Sequence, residues 1–283
     1  MSEAGYTLVC DCPDRAGVVA SVSAFVAERA GLILEAQHFR EPIENRSYMR
    51  TVFTGDALPS LDAIKAEFTP LADQFDMRWS IWPSDRKCKA LIAVSKQGHC
   101  LSAMLHRWHD GALPIDIAGV VSNHDDQRAL SEFYGLDYHH LPIDGDKADQ
   151  EKRILEIFES TGAELMVLAR YMQILTARMC DALAGRCINI HHSFLPGFKG
   201  ARPYHQAYER GVKIIGATAH YVTADLDEGP IIEQAVERVD HTVDPKRLAE
   251  MGNDIESVVL IRAVRWHAEH RVFLNGRRTV VLR

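Results

Sequence analysis

The sequence predicts an α/β protein in two parts: a small ferredoxin-like β-α-β-β-α-β unit, then a Rossmann-like domain with a mostly parallel sheet. Three observations carry this. The first eighty or so residues alternate strand-like and helix-like runs in that order. From Lys89 onward, short runs rich in Val, Ile and Leu alternate with amphipathic stretches, the pattern of a parallel sheet covered on both faces. Between them, Pro83-Ser84-Asp85-Arg86-Lys87 is short, polar and aperiodic, and reads as a linker. The expected domains are therefore residues 1–84 and 85–283. A chain of 283 residues can support two cores of that size.

Residues 5–12 form the first expected strand, ending in Asp11-Cys12-Pro13-Asp14, with Asp14 expected to cap a helix that runs through Arg29. Val18, Val22, Phe25 and Val26 fall on one face of that helix, and Gly31 sits where a helix end takes a glycine. Strands over 32–40 and 47–54 flank a polar turn at Glu44-Asn45-Arg46. A helix over 61–74 and a strand over 76–82 complete the unit. In the second part, strands are expected at 89–95, 115–122, 138–141, 165–169 and 187–190, with helices at 101–109, 126–134, 147–160 and 177–184 between them. After Asn189 the pattern changes. Residues 214–222 and 231–239 read as paired strands, 245–270 as a helix, and 272–282 as a hairpin turning at Asn275-Gly276.

Composition narrows the function. With 47% hydrophobic and 25% charged residues, the chain is an ordinary globular protein. A net charge of −7 argues against non-specific binding to nucleic acid or to an anionic membrane. Met1-Ser2-Glu3-Ala4-Gly5 has no basic segment leading into a long apolar one, and no apolar run approaches a membrane span, so a cytoplasmic location is expected. None of the six cysteines (Cys10, Cys12, Cys88, Cys100, Cys180, Cys187) falls in a C-x-x-C pair, so they read as small buried hydrophobes. His139-His140 and His191-His192 are adjacent pairs, which point to opposite faces of extended chain and make poor chelates. No metal site is expected.

The chemistry concentrates near residue 190. Cys187-Ile188-Asn189-Ile190 reads as a short buried strand. Residues two apart on a strand share a face, roughly 6.5–7 Å apart. Asn189 and His191 then project together from the strand's carboxyl end, where open α/β sheets bind ligands. Asp227 follows His191 by 36 positions, in the run His220-Tyr221-Val222-Thr223-Ala224-Asp225-Leu226-Asp227-Glu228-Gly229-Pro230. Singly, these three read as a turn former, a satisfied loop histidine and a solvated turn carboxylate. Together, an amide donor, an imidazole and a carboxylate suit acyl chemistry.

The run Asn189-Ile190-His191-His192-Ser193-Phe194-Leu195-Pro196, with Gly216-Ala217-Thr218-Ala219-His220-Tyr221-Val222 and Asp227-Glu228-Gly229-Pro230, resembles the formyltransferase-fold family that handles 10-formyltetrahydrofolate. The resemblance implies that Asn189, His191 and Asp227 are the catalytic trio. It implies that the segment Leu168-Ala169-Arg170-Tyr171-Met172-Gln173-Ile174-Leu175 binds the folate's pterin, partly through backbone amides, with Arg170, Tyr171, Met172, Gln173, Ile174, Leu175 and Gly229 as binding candidates. Leu195-Pro196 matches a turn that carries a cis-proline in relatives. The opening Cys10-Asp11-Cys12-Pro13-Asp14-Arg15-Ala16-Gly17-Val18 resembles an ACT domain, which implies a regulatory or pairing module, a possible amino-acid effector and a homo-oligomer, dimer or tetramer.

Within the family, the layout is similar to that of the deformylases, whose acceptor is water. Ser95-Lys96-Gln97-Gly98-His99-Cys100-Leu101 holds one glycine, too few for a loop that wraps a phosphate in successive backbone amides. The acidic balance does not suit a tRNA substrate. The implied reaction is hydrolysis of 10-formyltetrahydrofolate to formate and tetrahydrofolate, with no cofactor, supplying formate for purine synthesis and balancing the one-carbon folate pool. The alternatives are a folate-dependent formyltransferase and an inactive folate or amino-acid sensor.

Overall fold

A computed structural model of the chain describes residues 5–143, 145–195 and 203–283. It divides into two compact units. One runs up to Arg86 and also takes His270–Phe273 and Val280–Arg283; the other holds Lys87–Glu269 and Leu274–Thr279.

The first unit has the expected order: β1 (Gly5–Pro13), α1 (Val18–Ala27), β2 (Leu32–Glu41), β3 (Arg46–Thr54), α2 (Leu61–Gln74) and β4 (Arg78–Pro83). Its antiparallel sheet is ordered β2-β3-β1-β4, the ferredoxin-like arrangement. Tyr6, Leu8 and Cys10 alternate along one face of β1. They pack with Val22, Phe25 and Val26 of α1 and with Ile64, Phe68 and Ala72 of α2. On the opposite face, the buried Asp11 carboxylate accepts from Arg46 and from Arg78.

Asp14 is not the cap of α1. Gly17 occupies that position in a left-handed conformation with φ 94°, and no side chain caps the helix. Asp14 instead accepts from Ser47 Oγ at 2.5 Å and from Arg40, while its amide donates to Asn45 O. Its carboxylate ties β1 to the β2-β3 turn, a long-range demand that overrides the local capping preference. The C-terminal residues of this unit were likewise illegible locally. Arg271 donates to Glu35 and Gln37, and Phe273 packs edge-on against Tyr48 with centroids 5.5 Å apart.

The second unit runs β5 (Cys88–Val94), α3 (His99–His109), β6 (Ile115–Ser122), α4 (Arg128–Phe133), β7 (Tyr138–His140), α5 (Lys147–Ser160), β8 (Leu165–Leu168), α6 (Ala177–Ala182), β9 (Cys187–His191), α7 (Pro203–Glu209), β10 (Ile214–Tyr221), β11 (Ile231–Arg238) and α8 (Pro245–Ala268). A short hairpin, β12 (Val272–Asn275) and β13 (Arg278–Val281), follows. The large sheet is ordered β11-β10-β9-β8-β5-β6-β7. β7, β6, β5, β8 and β9 are mutually parallel, and β10 is antiparallel to both β9 and β11. From β5 the chain winds one way through β6 and β7, then returns to wind the other way through β8 and β9. The topological switch point therefore lies between β5 and β8.

β5 is buried on both faces from Ala90 to Val94, as a central parallel strand must be. α8 covers β9, β10 and β11 with Val259, Leu260, Ala263 and Val264. All six cysteines are buried and none is in a disulfide, as their spacing suggested.

Candidate active site

Asn189 and His191 leave the carboxyl end of β9 on one face. The antiparallel register of β10 sets His220 opposite Asn189 and Thr218 opposite His191. Asn189 Nδ2 lies 3.2 Å from His220 Nε2, and His220 Nδ1 lies 2.9 Å from the Tyr221 carbonyl. A carbonyl can only accept, so Nδ1 carries the proton and Nε2 accepts from the Asn189 amide. Burial lowers the His220 pKa and keeps the ring neutral, as that arrangement requires. His220 thus fixes which way the Asn189 amide faces.

Asp227 sits in the loop after β10 at φ 58°, a left-handed conformation that aspartate tolerates better than most residues. Its Oδ1 is 3.2 Å from His191 Nδ1 and 3.9 Å from His220 Nε2. Burial pushes the carboxyl up, but the hydrogen bond and charge of His191 outweigh it, and the group titrates below its ordinary value. With Nδ1 on the carboxylate, His191 turns Nε2 to the other side. That atom is buried and has no partner among the described residues. Unpaired buried nitrogens are rare in folded chains, and one beside a cavity invites a functional reading.

The trio lines a cavity of about 600 Å³. Arg170, Tyr171, Met172, Gln173, Ile174 and Leu175 line it too. Met172 and Ile174 are exposed rather than core, so their apolar side chains offer a surface to a ring system. The Met172 amide is already bound to Ser95 Oγ at 2.9 Å, which leaves it no free donor for a ligand. Tyr171 is buried, with its hydroxyl 3.4 Å from Gln150 Oε1. Gly229 is the exception among the binding candidates and does not line the cavity. A Cβ there would run into the Tyr221 carbonyl, so this glycine allows the loop carrying Asp227 to press against β10. Pro196, named above for its turn, lies outside the described residues.

The guanidinium of Arg170 meets protein groups on every side. Nη2 and Nε donate to Gln97 Oε1 at 2.7 and 3.1 Å, and Nη1 donates to His192 Nδ1 at 2.6 Å. Nε also lies 3.4 Å from Glu256 Oε2. Glu256 is fully buried and accepts from Tyr204 at 2.7 Å and His99 at 2.9 Å. Burial alone would raise its pKa; His99, Arg170 and Tyr204 together bring it below its ordinary value. Desolvation and the Arg170 charge push His192 down to about 4, so it accepts as a neutral ring.

Sequence reading missed this second cluster and His220. Glu256 could have been found. It falls on the buried stripe of α8 with Gly252, Ile255, Val259 and Leu260, where a carboxylate needs partners. Which residues answer it depends on the packing of α3, α7 and α8, which no local pattern reveals. His99, Cys100 and Glu256 offer ligand atoms within 4.8 Å of one another. The Arg170 charge against the same carboxylate disfavours a cation there.

The comparisons agree with this geometry. The formyl transferase family model matches residues 88–264. A formyltetrahydrofolate deformylase of Corynebacterium sp. is 51% identical over 280 residues, covering 98% of each chain. The crystal structure of formyltetrahydrofolate deformylase from Burkholderia mallei superposes with a TM-score of 0.94 at 50% identity, covering 99% of this chain and 100% of that one. A glycinamide ribonucleotide transformylase from Symbiobacterium toebii, at 30% identity and a TM-score of 0.68, covers 71% of this chain and 97% of its own. A full-length match at about half identity, on a sheet that brings Asn189, His191 and Asp227 together, places this chain in the formyl transferase family, among the formyltetrahydrofolate deformylases.

Proposed function

We propose that the chain hydrolyses 10-formyltetrahydrofolate to formate and tetrahydrofolate, using Asn189, His191 and Asp227. The observation that carries the trio is His191: Nδ1 faces a carboxylate, and Nε2 is buried beside a cavity with no partner among the described residues. Water adds through oxygen to the formyl carbon, and negative charge gathers on the formyl oxygen. The second N–H of Asn189, the one not engaged by His220, donates to that oxygen. Preorganised donors of this kind contribute about 10²–10³ in rate. His191 Nε2 relays a proton from the attacking water toward N10, the C–N10 bond breaks, and N10 leaves as an amine. Asp227 holds the ring and stabilises its charged form.

The folate ring lies against Met172, Ile174 and Leu175. The chemistry asks for no metal or cofactor, since an amide donor and an imidazolium supply the electrophilic help. The first unit serves pairing into a dimer or tetramer and offers a place for an amino-acid effector. Among the described residues no helix is long and apolar enough to cross a membrane, and a cytoplasmic enzyme fits that and the acidic charge.

Purified protein given 10-formyltetrahydrofolate alone should release formate and tetrahydrofolate, and chelator should leave the rate unchanged. Turnover that appears only on adding an amine acceptor would make the chain a transferase. Tight folate binding without any turnover would make it a sensor.

A further inference from the structure

In open α/β sheets the crevice outside the strand ends at the switch point is where ligands enter. Here that crevice lies between the loops after β5 and β8, where Gln97 and Arg170 form part of the wall of the cavity that holds the trio. Ser95 N donates to Arg170 O at 3.2 Å, and Met172 N donates to Ser95 Oγ, so the two backbones are stapled together. Above the staple, the Arg170 side chain spans from Gln97 on one loop to Glu256 on α8 and His192 after β9.

Two features show that this bridge is not explained by folding alone. Arg170 has φ 65°, where glycine would sit without strain and a long side chain is disfavoured. A buried Arg–Glu pair is itself weak support for stability, because desolvating both charges offsets their attraction. The chain therefore holds a bulky cation in a position whose backbone favours glycine. Gln97 and His192 accept from Nε, Nη1 and Nη2 and Glu256 offsets the charge, so less of the fork is left to grip a phosphate.

We propose that the Gln97–Arg170–Glu256 bridge is a plug that determines acceptor specificity, filling the switch-point crevice where an amine bearing a phosphorylated sugar would otherwise lie. The inference rests on the hydrolytic reading above. With the plug in place only water reaches the formyl carbon. Its oxygen forms the new C–O bond, and N10 leaves with a proton. With the plug removed, an amine nitrogen forms a new C–N bond instead, N10 again leaves with a proton, and the product is an N-formyl amine. Arg170 is then a specificity-determining residue rather than a folate ligand.

The test uses the full chain with 10-formyltetrahydrofolate and saturating glycinamide ribonucleotide, measuring formate and formylated amine together. Wild type without amine must release formate, and failure there rejects the hydrolytic reading, and the plug with it. Wild type with amine should still yield formate. The double variant Arg170→Gly with Glu256→Gln removes both charges at once and relieves the strained backbone. Its ratio of formylated amine to formate should rise at least about tenfold, the scale on which pocket shape separates substrates. The ratio is insensitive to a general loss of activity. Gln97→Ala, at an exposed residue, should shift the ratio the same way and keeps the test open if the double variant does not fold. No rise in the ratio in a folded variant that still releases formate would overturn the plug, as would efficient amine formylation by wild type.

Discussion

The carboxyl end of β9 and the crevice between β5 and β8 are both polar, enclosed and built around histidine, yet they differ in one respect. In the crevice the buried groups answer one another: Arg170 meets Gln97, His192 and Glu256, and Glu256 meets His99 and Tyr204. At β9 the network stops short. Among the described residues His191 Nε2 has no partner, and Asn189 gives one amide hydrogen to His220. Residues of both groups line the same cavity, and the group with an open nitrogen is the one to which the proposed chemistry is assigned.

The contrast can be broken by experiment, beginning with the largest effect. His191→Ala removes the proton relay and should lower kcat by about 10²–10⁴ while folate affinity holds, read by single-turnover kinetics beside a binding titration. Asn189→Ala removes only the oxyanion donor, and a loss of about 10²–10³ in kcat is expected. A larger fall in affinity than in kcat would move Asn189 to the binding side. Acid should find the buried rings next. His192 and His267 titrate at about 4 rather than 6.5, since burial penalises their charged forms. Between those values the unfolded chain binds more protons than the folded one, so stability should fall as pH drops from 6.5 to 4. The loss is on the order of 3 kcal/mol for each ring, and urea titrations at a series of pH values would measure it. Ser95→Ala breaks the staple's side-chain bonds to Met172 and Asn123 and should cost about 1 kcal/mol, seen as a lower unfolding midpoint.

Much of this was written locally in the chain. The order of elements followed from periodicity, and α2 runs over Leu61–Gln74, the residues its pattern marked. That Asn189 and His191 share a face was legible because they are neighbours on one strand, and the structure sets Asp227 beside them. What was not legible depends on which segments meet in space. His220 matters because β10 pairs antiparallel with β9 in one register. Asp14 answers Ser47 and Arg40 instead of capping α1, and Arg170, while lining the cavity, also meets Gln97, His192 and Glu256. Gly229 shapes a loop and does not line the cavity. Each of these contacts is long-range, and no local pattern shows it.

The central claim is that Asp227, through His191, drives hydrolysis at β9. Asp227→Asn tests it most directly, because the amide keeps the shape and removes only the charge and the proton acceptor. Formate release and folate affinity should be measured on the same preparation of wild type and variant. Affinity should stay within a few-fold of wild type, with formate release slower by about 10²–10⁴. Formate release within about threefold of wild type, below even the low end of that range, would contradict it.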